Sequence, residues 1–254
     1  MIRFEKVTYS YNQQPLIQDM DVTFEKGKVT AIIGPNGCGK STVLKLASRL
    51  LRPQKGKVLL DGQEIGAVKR KNFARKVSVL LQNNLIPEMT VERAVLSGRY
   101  PYQSPLRPFK EEDKTIAEYA MELACCSSLK YKNMDQLSGG ERQRVFLAMI
   151  LAQDTPYIFL DEPTTYLDIN VSYEIMELVR ELNETLGKTV VMVLHDMALA
   201  LNYADFILLM EKGKIKSYHS VLDEELHQSI GDTFHVKIQS FSESEKSQFY
   251  IIKM

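Results

Sequence analysis

The chain has no excess of either charge: its 254 residues set 32 Lys and Arg against 32 Asp and Glu. Without a basic field there is no electrostatic footprint for nucleic acid as the main partner. Long apolar runs are missing too. Nothing approaches the roughly 20 apolar residues that span a bilayer, so membrane association is expected to come through another protein. Met1-Ile2-Arg3-Phe4-Glu5 leads straight into a β-rich stretch and does not read as a signal peptide. Cysteine is scarce, three in all. Cys125 and Cys126 are adjacent on a predicted helix, poor geometry for a mutual disulfide, and no metal spacing is present. They read as small core residues in a reducing compartment. Internal repeats, low-complexity tracts and coiled-coil heptads are absent as well, which removes solenoids and long-coil architectures. The length suffices for a full core, in one large domain or two small ones.

What is present is glycine in two phosphate-suited settings. Gly34-Pro35-Asn36-Gly37-Cys38-Gly39-Lys40-Ser41-Thr42 fits the G-x-x-x-x-G-K-[ST] loop. The β-branched run Val29 to Ile33 predicts a buried parallel strand before it, and the apolar spacing from Ser41 to Leu51 predicts a helix after it. In that context backbone N–H groups point at phosphate oxygens and the helix start adds positive charge. Lys40 would bring a full charge to the β- and γ-phosphates, and the Ser41 hydroxyl can ligate Mg²⁺. Cys38 lies among backbone donors that favour thiolate, which predicts that alkylation blocks nucleotide binding and MgATP protects. The plainer reading is a small residue tolerated there. The second setting is Leu137-Ser138-Gly139-Gly140, set ahead of an amphipathic helix from Glu141 to Leu151, another N-terminus suited to an anion.

Tyr157-Ile158-Phe159-Leu160-Asp161-Glu162 is an apolar strand ending in two carboxylates, placed at the sheet edge where ligands collect in open α/β folds. Adjacent strand residues face opposite ways, so the two acids have different tasks: Asp161 for Mg²⁺ or its water shell, Glu162 for the attacking water.

Together these segments resemble the ATPase subunit of ABC transporters, from about residue 2 to about residue 218. Ser138-Gly139-Gly140 is similar to the family's signature, Gln82 to its Q-loop glutamine, Thr165-Tyr166-Leu167-Asp168 to its D-loop, and His195 to its switch histidine. Tyr166 stands where a small residue is more usual. Tyr11 takes the place of the aromatic that stacks on adenine, with Tyr9 two positions away. The resemblance implies an α/β P-loop NTPase fold of ABC ATPase type: a mixed sheet core with an antiparallel β subdomain and an inserted helical subdomain. It implies ATP and Mg²⁺ as cofactors, with Ser41, Gln82 and Asp161 toward the metal and Gln82, Glu162 and His195 in catalysis. Gln82 carries an amide able to ligate metal and bond water, and a neutral His195 imidazole could donate to phosphate. It also implies a head-to-tail homodimer in which Ser138, Gly139 and Gly140 of one copy close on nucleotide held by residues 34–42 of the other, with Asp168 also among the nucleotide-binding residues.

Domain bounds follow: an ATPase domain over 1–218, its helical insert over about 88–137 with helices Val91 to Ser97 and Glu111 to Ala124, and an extension over 219–254 of a helix and a hairpin. The hairpin strands are read at His235 to Ile238 and Phe249 to Ile252, flanking a Ser/Glu turn. Polar turns are expected at Asn12-Gln13-Gln14 and Glu25-Lys26-Gly27. The loop Gly98 to Phe109 holds three prolines, three aromatics and two arginines and reads as an exposed contact surface, or as a stiffened connector packing its own aromatics. Its Gly98-Arg99-Tyr100-Pro101 stretch, the acidic helix after it and Leu194 to Ala200 resemble the iron–chelate importer branch. That branch implies two transmembrane permease subunits, an extracytoplasmic substrate-binding protein acting indirectly, no nucleic acid, and a peripheral place on the cytoplasmic face of the membrane. An exporter subunit, or a soluble ABC ATPase acting on nucleic acid, shares the motor motifs and stays open at this point.

Overall fold

The computed structural model describes residues 1–12, 14–82, 85–104, 107–243 and 246–253. Gln13 of the early turn, Pro105 and Leu106 of the proline-rich loop, and Ser244 and Glu245 of the Ser/Glu turn lie outside the described residues. Two compact units are present: Met1–Val68 with Thr189–Met254, and Lys69–Lys188. The first unit opens with β1 (Ile2–Tyr9), β2 (Ile17–Phe24), β3 (Val29–Ile33), α1 (Lys40–Ala47), β4 (Lys55–Leu60) and β5 (Gln63–Glu64). The second holds α2 (Arg70–Ala74), β6 (Val77–Leu80), α3 (Val91–Ser97), α4 (Glu111–Leu123), α5 (Gly139–Ala152), β7 (Tyr157–Asp161) and α6 (Ile169–Glu184). The chain returns through β8 (Thr189–Val193), α7 (Met197–Tyr203), β9 (Phe206–Glu211), β10 (Lys214–Ser220), α8 (Glu224–Phe234), β11 (Val236–Glu243) and β12 (Lys246–Lys253).

In the first unit an antiparallel sheet runs β2-β1-β4-β5. A second, mixed sheet has β3 between β8 and β9, parallel to both, with β10 antiparallel on β9. Val29, Thr30, Ala31, Ile32 and Ile33 are all buried, which suits a β-branched run flanked on both edges. Val43, Leu44, Leu46 and Ala47 seat α1 at 0–2% exposure, about 1.5–3 kcal/mol for each large side chain. The helix stops at Ala47, a turn before the apolar spacing predicts. Arg49 takes φ +61°, and Leu50 and Leu51 N–H both turn back to Lys45 O at 2.9 and 3.1 Å. β10 escaped notice because Lys214 to Ser220 is polar; the Tyr218 ring packs on Phe24 and Phe206 at 6.3 and 5.7 Å. The β11–β12 hairpin pairs Val236 with Lys253 and Ser240 with Phe249. Asn202 of α7 serves as a partner for its edge, donating to Phe249 O at 3.1 Å and accepting from Phe249 N at 3.0 Å.

In the second unit β6 and β7 are parallel, and α3, α4 and α5 form a helical cluster. The acidic start of α4 suits a helix N-terminus, but Asp113 has a further task. Its Oδ1 accepts from Arg99 Nε at 3.0 Å, and Arg99 Nη1 donates to Ala152 O at 2.9 Å. Arg99 is 6% exposed, so this end of the proline-rich loop is anchor and not surface. Tyr102 lies under the guanidinium groups of Arg99 and Arg75, at 4.0 and 5.1 Å. Tyr100, 61% exposed and 5.4 Å from Phe109, keeps the character of a contact residue, and Arg107 is exposed in the same loop. The cysteine expectation is half corrected. Cys126 is buried, and desolvation pushes its thiol up to about 12. Cys125, in the left-handed turn after α4 at φ +51°, is exposed.

Candidate nucleotide site

The first unit carries the glycine loop from the end of β3 into α1. Gly34 (φ +153°) comes so close to the β9 backbone that a Cβ there would lie 2.3 Å from Met210 O. Gly39 (φ +105°) starts α1 without a side-chain cap, and no acidic residue lies in the helix's first turn. The exposed tip is Pro35-Asn36-Gly37, while Gly34, Cys38, Lys40 and Thr42 are buried. A buried ammonium needs polar partners: Lys40 Nζ donates to Gly34 O at 2.9 Å and Pro35 O at 3.2 Å. Ser41, intermediate in burial, follows it in the first turn.

Cys38 departs from the thiolate expectation. It is 4% exposed, and burial raises its thiol above the ordinary value, with the Lys40 charge pulling the other way. Desolvation of the charged form outweighs the pull of the lysine charge, which runs against the thiolate expectation for this buried side chain.

His195 reaches the same sheet edge as the loop. β8 lies beside β3, Leu194 N donates to Ile32 O at 3.2 Å, and His195 follows as an exposed residue. Asp196 caps α7, accepting from Ala198 N and Leu199 N at 2.8 and 3.1 Å. Tyr11 stands beyond the end of β1, not on its face as the alternation with Tyr9 implied. It is 54% exposed, edge-to-face with Tyr9 at 5.0 Å.

The second unit brings Gln82, Asp161 and Glu162 to one edge. β7 ends at Asp161, 2% exposed. Glu162 is off the strand in the left-handed region at φ +54°, so the divergence of the two acids comes from a turn and not from strand alternation. Gln82 Nε2 donates to Glu162 Oε2 at 2.5 Å, and Thr165 Oγ1 donates to the same oxygen at 3.1 Å. Sequence reasoning had Thr165 only as part of the D-loop-like stretch and missed its bond to Glu162, and it gave no role to Gln143, whose Nε2 donates to Pro163 O at 2.8 Å. A hydroxyl three residues after the acid was the available signal for the first; nothing in the sequence pointed to the second.

The signature glycines are inside α5 and not ahead of it. Ser138 is the N-cap: its Oγ accepts from Glu141 N at 3.3 Å, and Glu141 Oε2 accepts from Ser138 N at 2.9 Å, a capping box. That backbone bond holds the Glu141 carboxyl below its ordinary value. Gly139 and Gly140 form the first turn. Asp168 caps α6, accepting from Val171 N at 2.9 Å, and Tyr166 before it is 95% exposed at φ +64°.

No group of three or more His, Cys, Asp or Glu side chains among the described residues could hold a metal. The first unit offers the Ser41 hydroxyl, and the second offers the Gln82 amide and the Asp161 carboxylate. Few and hard oxygen donors fit Mg²⁺, which keeps waters and takes phosphate oxygens, better than a caged Ca²⁺ or Zn²⁺.

A glycine loop closing onto a helix start, with acid-tipped parallel strands, defines a P-loop nucleotide-binding protein. The family model described as "ABC transporter" matches residues 17–165, and the chain belongs to that family. It is 41% identical over 239 residues to the petrobactin import ATP-binding protein FpuD of Bacillus anthracis, covering 92% of this chain and 86% of that one. It is 42% identical to the ferric enterobactin transport ATP-binding protein FepC of Escherichia coli (strain K12), covering 84% and 79%. Among solved structures, a chain from a metal-chelate type ABC transporter in an inward-facing conformation superposes at TM-score 0.84 with 25% identity, over 100% of this chain and 96% of that one. The dimeric ATP-binding cassette MJ0796 with ADP and Pi gives TM-score 0.77 and 28% identity, over 88% and 100%. The fold is the ABC ATPase cassette, a mixed sheet with antiparallel sheets and helices, and the chain is an ATPase that binds ATP. No helix among the described residues is long and apolar enough to cross a membrane.

Proposed function

We propose that this chain is the motor subunit of an importer for iron–siderophore or related iron chelates, working as a homodimer beneath two permease subunits on the cytoplasmic face of the membrane. The observation that carries it is Glu162 held in a left-handed turn with Gln82 and Thr165 on its carboxylate: a base placed, oriented and linked to the Q-loop. The substrate class is supported by the siderophore-import names of the similar proteins. An extracytoplasmic binding protein would deliver the chelate; the motor itself never touches it.

In this reading residues 34–42 cradle the phosphates through backbone N–H groups. Lys40 exchanges its carbonyl partners for β- and γ-phosphate oxygens, and Tyr11 stacks on adenine. Glu162 orients a water and takes its proton as the water oxygen bonds to the γ-phosphorus. The bond from phosphorus to the bridging oxygen breaks, and ADP leaves with the electron pair. His195 donates to the γ-phosphate and holds it in line. Ser138, Gly139, Gly140 and Asp168 of the second copy close the site, so ATP favours the closed dimer and hydrolysis releases it. Ser41, Gln82 and Asp161 would hold Mg²⁺, which when bound neutralises charge on the β- and γ-oxygens. The domain reading is an ATPase over 1–218 with its insert at about 88–137, carrying 219–254 as an edge-stabilising extension.

The test is to purify tagged Glu162→Gln protein with ATP from detergent-solubilised membranes. Recovery of a multi-span permease and a chelate-binding protein is expected. Recovery from the soluble fraction alone, or with nucleic-acid proteins, would overturn the transport reading and leave the ATPase standing.

A further inference from the structure

The turn after β7 is held from more sides than a strand-to-helix connection requires. Glu162 has φ +54°, a region that a residue with a Cβ enters at a cost and that persists only where the surroundings over-determine it. Thr165 supplies two of the restraints. Its N–H donates to Glu162 O at 3.3 Å, and its hydroxyl donates to Glu162 Oε2 at 3.1 Å. Gln143 adds a third from α5, through Pro163 O at 2.8 Å.

Gln82 Nε2 also donates to Oε2, at 2.5 Å, from 80 residues away in the chain. A carboxylate oxygen with two donors has both lone pairs engaged, so in this arrangement Oε2 has no room for a water proton. One of the donors must leave before that oxygen can act. Thr165 is tied to Glu162 by a three-residue turn, backbone as well as side chain, and moves with it. Gln82 arrives on a separate segment and can turn away alone.

We propose that Thr165 is a positioning residue for the base: its hydroxyl keeps the Glu162 carboxylate aimed when Gln82 releases it. The proposal rests on the reading of Glu162 as the group that takes the water proton. The Thr165 methyl cannot replace the hydroxyl, so Thr165→Val removes the bond at nearly constant volume, and Thr165→Ser restores it.

The experiment measures kcat and KM for MgATP, nucleotide affinity and melting temperature on the full chain carrying T165V, T165S or E162Q. In T165V kcat is expected to fall about tenfold, a fraction of the 10²–10⁴ that a general base supplies, with KM and nucleotide affinity unchanged. T165S is expected to recover most of that rate. A T165V chain that melts like the parent and turns over at its rate overturns the positioning role. So does a T165S chain as slow as T165V. Should T165V fail to fold, T165A against T165S carries the same comparison. E162Q separates the layers: an inactive E162Q beside a fully active T165V removes Thr165 alone, whereas E162Q at the parent rate removes the base and this inference with it.

Discussion

Two helices have glycine at their start, Gly39 as the N-cap of α1 and Gly139 as the first residue of α5, and they are prepared for anions in opposite ways. α1 starts at Gly39 with no side-chain cap and no acid in its first turn, so its N-terminal charge faces outward from a rigid, buried base. α5 starts at Ser138 with a closed capping box, its hydroxyl and Glu141 each satisfying a backbone N–H. An anion meets a ready acceptor site at the first. At the second it meets a partly satisfied terminus and a carboxylate of its own sign. Ser138 still offers the proton of its hydroxyl, since accepting from Glu141 N uses a lone pair and not the O–H. On the proposed reading, this difference would give tight binding to the first unit and a conditional, weaker closure to the second.

The largest effect that would break this comparison is at Lys40. Lys40→Ala removes the buried ammonium now held by Gly34 and Pro35 carbonyls and should weaken ATP binding by at least about a hundredfold, since charge-assisted bonds to phosphate are the strong ones. Titration with a fluorescent ATP analogue measures it; affinity within threefold of the parent would mean the loop binds through its backbone alone. Of comparable size is the effect at Asp113, whose partner Arg99 is buried with it, their side chains 9% and 7% exposed. Asp113→Ala leaves a buried guanidinium short of its counter-charge and should cost about 3–5 kcal/mol, read as a fall in denaturant midpoint. Loss of under 1 kcal/mol would show that water reaches Arg99.

Ser138→Ala sharpens the contrast between the helices. It should cost about 1 kcal/mol in stability through the lost cap and slow turnover, while nucleotide affinity of the single chain stays as it was. A drop in that affinity would place the signature serine in the primary cradle. The smallest effect is alkaline. Burial raises the Cys126 thiol from 9.0 to about 12, so the unfolded chain gives up this proton first as pH rises. Stability from this group is whole below pH 9 and is lost as pH climbs toward 12. Between pH 8 and 10.5 the melting temperature of the parent should therefore fall more steeply than that of Cys126→Ala; equal slopes would mean the thiol is solvated.

How much of this was readable in advance depends on how local each feature is. The glycine loop, Lys40 and Ser41 occupy one contiguous stretch, and the buried strand before them is β-branched at all positions but Ala31. Their task follows from chain order. The helices of the insert were legible for the same reason: Val91–Ser97 matches the periodicity, and Glu111–Leu123 ends one residue short of it. The proline-rich loop was not. Its composition left a contact surface and a self-packed connector both open, and Asp113, Ala152 and Arg75 from other segments, which occupy Arg99 and Tyr102, decided much of the choice. Composition counts side chains without saying which are already occupied.

The sequence by itself determined the family, the nucleotide loop and the order of the acidic, amide and imidazole groups, because each is a short run whose neighbours in the chain are its neighbours in space. Only the tertiary structure decided which way Glu162 turns, that Gln82 reaches one of its oxygens, and that Cys38 and Arg99 are buried. Those outcomes depend on burial and on hydrogen bonds between residues up to 80 positions apart, where desolvation and donor geometry act and local propensity has no reach.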